Sequence, residues 1–281
     1  MEVDSMIKNM IKSTGNQRVK ELVQLQKKSR ARSREGVFIA EGIRMVRETP
    51  AERLAELYLS ESFYKKYGDS VWQDILGDKD TEALPSKRVE ILSDTVFSYV
   101  SDTKTPQGIL AVVRQMEYSE EEITGGRCPH LLVLDNLQDP GNLGTIFRTA
   151  EAAGVTGILM SRGCADVYNP KTIRSTMGAL YRMPFVYTED LPAAVASLKQ
   201  KGIRTYAAHL EGKHTYDRED YRQGTAFLIG NEGNGLSEEV AEQADIRIRI
   251  PMGGQAESLN AAVAAAILMF EANRQRRQDQ G

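Results

Sequence analysis

Apolar residues along this chain follow two rhythms, short continuous runs and stretches spaced every three or four positions, and the two alternate. Beyond residue 130 the alternation is regular. Runs at 131–134, 157–160, 185–187, 203–207, 226–229 and 246–250 read as strands, and helical spacing fills segments between them, as at 143–153 and 191–201. Strands apolar on both faces and separated by helices predict an α/β domain with a mostly parallel sheet. Before residue 117 the pattern is shorter. Val19, Leu22, Val23 and Leu25 fall near helical spacing, strands are expected at 37–40, 57–59, 89–92 and 109–113, and a helix carries Ile43, Met45 and Val46. This predicts a second, smaller α/β domain with one core. Between the two regions, residues 117–129 are acidic, then glycine-rich, then closed by Pro129, which is the composition of a linker. The expected organisation is a domain over 1–116, a linker over 117–129 and a domain over 130–281. No repeat of solenoid period is present.

The last patterned segment departs from this rhythm. Leu259, Val263, Ala266, Ile267 and Phe270 form one stripe, yet Ala262, Ala265 and Met269 leave little polar surface elsewhere. A helix apolar nearly all round must be buried on more than one side. An internal helix of a larger core would satisfy this, and so would a homodimer interface. The size of the domain favours the dimer.

Composition narrows the class. With 41% hydrophobic and 27% charged residues the chain reads as a soluble globular protein. Its longest apolar run, in the final helix, is too short and alanine-rich to cross a bilayer. The opening MEVDSMIKNM places acids before any apolar stretch, unlike a secretory signal. Two cysteines, Cys128 and Cys164, make no disulfide framework, and His130, His209 and His214 lack metal-ligand spacing. These features predict a cytoplasmic protein with no metal. A net charge of −3 argues against a nucleic-acid partner, but the distribution does not: nine Lys or Arg face one acid, Glu21, between Lys8 and Arg34. Arg274, Arg276 and Arg277 form a second cluster. Such clusters neutralise phosphates; a solvated helix face is the alternative.

Three polar and glycine-rich clusters follow strands. Asp139-Pro140-Gly141-Asn142 opens a helix, with Asn142 at the expected N-cap and Arg148 beyond it, able to grip a phosphate bidentately. Gly230-Asn231-Glu232-Gly233-Asn234-Gly235 lets backbone approach a ligand. Its G-x-x-G-x-G spacing is not the G-x-G-x-x-G of nicotinamide enzymes, and no phosphate-loop lysine follows. Pro251-Met252-Gly253-Gly254 leads to Ser258-Leu259-Asn260 at the start of the last helix. Ligands of open α/β sheets bind outside the carboxyl ends of strands, so three such loops predict one composite site. A fourth stretch, Asn169-Pro170-Lys171 to Arg174-Ser175, places two cations and several hydroxyls on a short helical segment, which suits an RNA backbone or a plain charged surface.

On these residues the region from about His130 to Arg276 resembles the SpoU (TrmH) family of RNA ribose methyltransferases in the SPOUT superfamily. The family's N-x-G-x-x-x-R appears as Asn142, Gly144 and Arg148, its glycine-flanked acid as Gly230 to Gly233, and its P-M…S-L-N as Pro251, Met252, Ser258, Leu259 and Asn260. Ala261 stands where the family commonly has valine. The N-terminal half resembles, on Phe38-Ile39-Ala40-Glu41-Gly42 and the helix after it, the ribosomal-protein-like substrate-binding domain often attached in this family.

The resemblance implies an S-adenosylmethionine-dependent 2′-O-methyltransferase with a trefoil knot holding the cofactor near Leu228, Gly230, Asn231, Ile250, Met252 and Leu259. It implies catalysis by Arg148 with Asn142, Glu232, Ser258 and Asn260, and gives the basic positions Lys20, Lys27, Lys28, Arg30, Arg32, Lys171 and Arg174 a role in RNA contact; the homodimer expected through the C-terminal domain rests on the last helix. A guanidinium does not give up its proton in a protein, so the role expected of Arg148 is to clamp a phosphate and stabilise a developing alkoxide. The separate N-terminal domain favours 23S ribosomal RNA as substrate by analogy; transfer RNA, or a non-catalytic RNA-binding protein, is the alternative.

Overall fold

The computed structural model describes residues 9–68 and 88–278, so the acidic opening and Lys8 lie outside the described residues. The chain divides into two compact units, one of Met1–Met116 with Tyr168–Tyr181, the other of Glu117–Val167 with Arg182–Gly281.

In the first unit, β1 (Val37–Glu41), β2 (Leu54–Ser60), β3 (Arg88–Leu92) and β4 (Ile109–Arg114) form a sheet in the order β1-β4-β2-β3. β2 and β3 run parallel; the other pairs are antiparallel. The helix Gln17–Lys27 covers one face, burying Val19, Leu22 and Leu25 with Ile39, Tyr58 and Leu110. Asn16 starts it by accepting from the Arg18 N–H at 2.8 Å. The segment Tyr168–Tyr181 belongs to this unit although it lies in sequence between strands of the other. The Tyr168 hydroxyl accepts from the Met116 N–H at 2.9 Å and donates to the Met116 carbonyl at 3.1 Å, and its ring stacks on Phe38. Tyr181 hydrogen-bonds Thr49 at 2.9 Å. Local periodicity could not assign this stretch, because its apolar side chains find their partners more than fifty residues away.

The second unit is built on seven parallel strands among the described residues: β5 (His130–Leu134), β6 (Gly157–Ser161), β7 (Phe185–Thr188), β8 (Arg204–Ala208), β9 (His214–Thr215), β10 (Thr225–Ile229) and β11 (Ile246–Arg249). The sheet is the mostly parallel one expected; only the two-residue β9 was not foreseen. The order is β7-β6-β5-β10-β8-β11-β9. Every residue of β5 and β10 is buried, which is why both read as unbroken apolar runs.

The stretch expected as a linker is folded into this unit. Ser119 and Glu122 form a capping box, with Ser119 Oγ accepting from the Glu122 N–H and Glu122 accepting from the Ser119 N–H, and the helix Glu120–Thr124 follows. It delivers Ile123 to the core, so close to Gly157 that an added Cβ there would lie 2.4 Å from the Ile123 Cβ. The S-x-x-E spacing was the signal available in the sequence.

From β5 the chain winds outward through β6 and β7; β10 then inserts on the other flank of β5. Strand order reverses there, and the loops after β5 and β10 share the crevice where open sheets bind ligands. The helix Ala261–Gln278 returns from β11 to pack on β10 and on the helix Pro140–Ala153.

Candidate functional site

Two loops at the switch between β5 and β10 are fixed before any functional side chain is placed. Gly230 is pressed onto the far side of its own loop, where an added Cβ would sit 2.0 Å from the Gly235 carbonyl carbon. Asn231 and Gly235 exchange both backbone hydrogen bonds, and the Asn231 side-chain oxygen accepts from the Gly233 and Asn234 N–H groups. Its amide nitrogen donates across to the Asn136 carbonyl at 2.7 Å, tying the β10 loop to the β5 loop. Asp135 adds a second tie by accepting from the Ser237 N–H and hydroxyl.

The helix Pro140–Ala153 is capped by Asp139, which accepts from the Asn142 N–H at 2.8 Å. This corrects the expectation that Asn142 is the cap. Proline favours the first helical position, so the cap falls one residue before Pro140. Asn142 is thereby free to work through its side chain. Its amide nitrogen donates to Glu232 at 3.1 Å, and its oxygen accepts from the Asn260 amide at 2.9 Å. The Asn260 oxygen in turn accepts from the Ala262 and Val263 N–H groups, capping the last helix. Glu232 also accepts from the Gln138 and Asp139 N–H groups at 3.2 and 3.0 Å. A carboxylate only accepts and backbone N–H groups only donate, so both asparagine amides are oriented from their two ends.

Asp139, Asn142, Glu232 and Asn260 line an open cavity of about 520 Å³ with Ser258, Leu259 and Ala261. Burial alone would raise the Glu232 carboxyl; the hydrogen bonds from Asn142, Asp139 and Gln138 outweigh it and hold the group below the ordinary carboxylate range. The structure therefore joins Asn142, Glu232, Ser258, Leu259 and Asn260. It does not place Arg148 among them: that side chain is exposed farther along the helix, with no hydrogen bond or ion pair among the described residues. Leu228 is wholly buried in the core between β5 and β8, while Ile250 and Met252 are half-buried beyond β11. Sequence reasoning missed Asp139 and the Asn136–Asn231 brace; the Asp-Pro pair at the strand end signalled the first.

The expected RNA contacts separate into two groups. Lys20, Lys27, Lys28 and Arg30 are exposed and have no partner among the described residues, with Lys20, Gln24 and Lys27 on one helix face. Lys171 is exposed on the helix Pro170–Thr176. Arg32 is instead 3% exposed and donates to the carbonyls of Leu25 and Gln26, because the end of the first helix leaves those oxygens without helical partners. Arg174 pairs with Asp102 at 2.7 Å. Arg274 pairs with Glu271, and Arg276 donates to the carbonyls of Tyr221, Cys128, Pro129 and Gln223. Among the described residues no cluster of acids, histidines and cysteines could hold a metal, and no helix is long and apolar enough to cross a membrane.

Residues 129–270 match the SpoU rRNA Methylase family, and residues 16–111 match the MRM3-like substrate binding domain. The chain belongs to the SpoU family. It is 36% identical over 265 residues to the 23S rRNA (guanosine(2553)-2′-O)-methyltransferase RlmP of Bacillus subtilis, covering 92% of this chain and 97% of that protein. An AdoMet-bound rRNA methyltransferase from Sinorhizobium meliloti superimposes with a TM-score of 0.81 at 28% identity, over 94% of this chain and 97% of the other. The SpoU methyltransferase AviRb from Streptomyces viridochromogenes, in complex with AdoMet, gives 0.78 at 28% identity, over 93% and 98%. This SpoU protein is an S-adenosylmethionine-dependent RNA 2′-O-methyltransferase.

Proposed function

We propose that the chain methylates a ribose 2′-hydroxyl of large-subunit ribosomal RNA, using the cavity at the β5–β10 switch. The observation that carries this reading is the hydrogen-bond chain Glu232–Asn142–Asn260, which joins all three motif loops in a protein similar along most of its length to a 23S rRNA 2′-O-methyltransferase.

The residues present fit the cofactor. Asp139 and Glu232 line the cavity and, among the described residues, no cationic side chain does, which suits a sulfonium cation. Gly253 and Gly254 have open space where a side chain would be, so their backbone is accessible to a ligand. The chain near Leu228, Gly230, Asn231 and Ile250, with Met252 and Leu259, would hold the cofactor, which would supply an electrophilic methyl group. The family resemblance implies a knotted cradle for it, formed by the loops after the last strands.

A ribose hydroxyl is a poor nucleophile: as its oxygen bonds to the methyl carbon and the carbon–sulfur bond breaks, its proton must pass to solvent water. Arg148, exposed and unpaired among the described residues, clamps the adjoining phosphate and stabilises the developing alkoxide. Asn142, Glu232, Ser258 and Asn260 orient the loops around the reacting atoms. Alignment of this kind supplies ~7 kcal/mol or more of barrier lowering. The first unit binds the RNA, through Lys20, Lys27, Lys28 and Arg30 and with Lys171 alongside. Val263 and Phe270, 48% and 46% exposed on the last helix, form the homodimer surface. Two unpaired cysteines suit a cytoplasmic location.

The test is incubation with radiolabelled S-adenosylmethionine and total RNA from cells lacking the gene, followed by separation by size. Label is expected in large ribosomal RNA; label confined to transfer RNA overturns the substrate. Arg148→Ala should abolish incorporation while cofactor affinity, measured by calorimetry, stays within about twofold. Loss of cofactor binding in that variant would refute the division of roles.

A further inference from the structure

A second cavity, of about 450 Å³, opens at the carboxyl ends of β5 and β10, a volume in the range of ligand pockets. The two loops there divide their successive residues between the cavities. Asp139 and Glu232 line the first, while their neighbours Gln138 and Asn231 line this one. No residue from Ile250 to Asn260 borders it, so it stands apart from the chain that follows β11.

Hydrogen bonds make the floor rigid and set its polarity. Asp135 is buried, and one of its oxygens accepts from the Asn136 amide at 3.2 Å. The other accepts from the Ser237 N–H at 2.9 Å and from the Ser237 hydroxyl at 2.6 Å. With its proton committed to that carboxylate, Ser237 Oγ can only accept from a ligand. Asn136 has φ +52°, a conformation uncommon outside glycine. It is held there by its N–H, which donates to Ser161 Oγ at 2.9 Å, and by its carbonyl, which accepts from the Asn231 amide. Its side-chain oxygen occupies the space where a Cβ on Gly163 would stand, so the turn needs that glycine. Gln138 and Asn234 are exposed. Their N–H groups bond Glu232 and Asn231, but their side-chain amides have no partner among the described residues.

We propose that this cavity receives the ribose of a nucleotide flanking the methylated one, its 2′-hydroxyl donating to Ser237 Oγ and accepting from the Gln138 and Asn234 amides. The proposal rests on the reading of the chain as an RNA methyltransferase and extends it to a second sugar. Among the described residues no cation lines the cavity and a carboxylate stands in its floor, which disfavours a phosphate. No aromatic ring lines it, so an unstacked base would find partners for its edge but none for its face. A sugar hydroxyl donates and accepts at once, matching an acceptor-only serine beside amide donors. The cofactor carries a ribose too, but the separation of this cavity from the chain after β11 favours the RNA. Because the 2′-hydroxyl distinguishes RNA from DNA, the enzyme would check for RNA at a sugar it does not modify.

The test pairs a change in the RNA with a change in the full chain. Ribosomal RNA from cells lacking the gene is rebuilt by ligation with a single 2′-deoxynucleotide at each position flanking the methylated one. Gln138→Ala and Asn234→Ala, both at exposed positions, keep the backbone N–H groups that bond Glu232 and Asn231. For the unsubstituted protein, one flanking deoxynucleotide should raise KM for RNA roughly tenfold, with kcat unchanged. Each variant should show a similar rise on all-ribose RNA, and the further penalty for that deoxynucleotide should shrink to about twofold or less. The Kd for S-adenosylmethionine should not move. No sensitivity to any flanking deoxynucleotide, or a penalty of full size in both variants, would overturn the proposal. So would a weakened Kd for S-adenosylmethionine, which gives the cavity to the cofactor's ribose, or a KM that follows the flanking base rather than its sugar. Failure of the unsubstituted protein to methylate any RNA would instead overturn the reading on which the proposal rests.

Discussion

At the scale of single residues, the site is organised by one carboxylate. Three donors converge on Glu232, from Gln138, Asp139 and Asn142, and its acceptor oxygens fix the Asn142 amide at one end as Asn260, oriented by the Ala262 and Val263 N–H groups, does at the other. A glutamine in its place has one acceptor oxygen, so at least one of the three donors would meet an NH₂ group. Glu232→Gln should therefore lower kcat by roughly a hundredfold, the scale of a 1 Å displacement of reacting groups, while costing only about 1 kcal/mol of stability at so exposed a position. Steady-state kinetics and thermal melting distinguish the two; a variant with wild-type kcat would show that the amide chain does not align the site. The pH dependence follows from the lowered carboxyl. A depressed group contributes fully above its unfolded pKa, and its contribution is lost as pH falls through the lower folded value. Stability from Glu232 is thus complete at neutral pH and declines only in acid. Sequence motifs named Asn142, Glu232 and Asn260 because each carries its chemistry in its side chain. Asp139 went unnamed because capping preference alone cannot choose between an aspartate and an asparagine three residues apart; the proline between them decides.

At the scale of elements, the last helix shows what periodicity can and cannot say. Its sequence is apolar nearly all round, which predicts burial on more than one side without saying against what. The structure resolves the faces: Ala261, Ala262, Ala265, Leu268, Met269 and Ala272 are buried within the unit, and Val263 and Phe270 remain about half exposed with Ile267 between them on the same stripe. Small residues face inward because they permit close packing on the helix Pro140–Ala153. If the outer stripe is the dimer surface, Phe270→Glu should convert a dimer into a monomer by light scattering, with a change in melting temperature of no more than a few degrees beyond that due to dissociation. A monomeric wild-type protein, or a dimeric variant, would refute the assignment. The opposite lesson comes from residues 117–129. Glycine and acid content predicted a linker there, but one apolar residue, Ile123, behind a capping box was enough to fold the segment onto β6. Composition averages over such a residue, whereas the core does not.

At the scale of the whole molecule, the count of charges overstates the surface available to RNA. Between Lys8 and Arg34 the sequence sets nine basic residues against one acid, yet Arg32 is buried on helix carbonyls and Arg18 is shared between Glu21 and Glu56. In the C-terminal cluster Arg274 and Arg276 are likewise engaged within the fold. Lysines and arginines look alike in a charge tally; their partners, which only the fold supplies, decide which can neutralise a phosphate. Lys20 and Lys27 can, since they share an exposed helix face. Removing one cation from a phosphate should reduce the slope of log affinity against log salt by about 0.7 for single-stranded RNA, so Lys20→Gln with Lys27→Gln should flatten it by about 1.4. Arg32→Gln makes the opposite case. It should leave that slope unaltered and lower stability by roughly 1–3 kcal/mol, because two buried carbonyls are deprived of their donor. Filter binding across a salt series, with a melting curve for each variant, separates these outcomes. A flattened slope in the Arg32 variant would mean that the buried guanidinium reaches RNA after all, and the division between structural and RNA-facing cations would have to be redrawn.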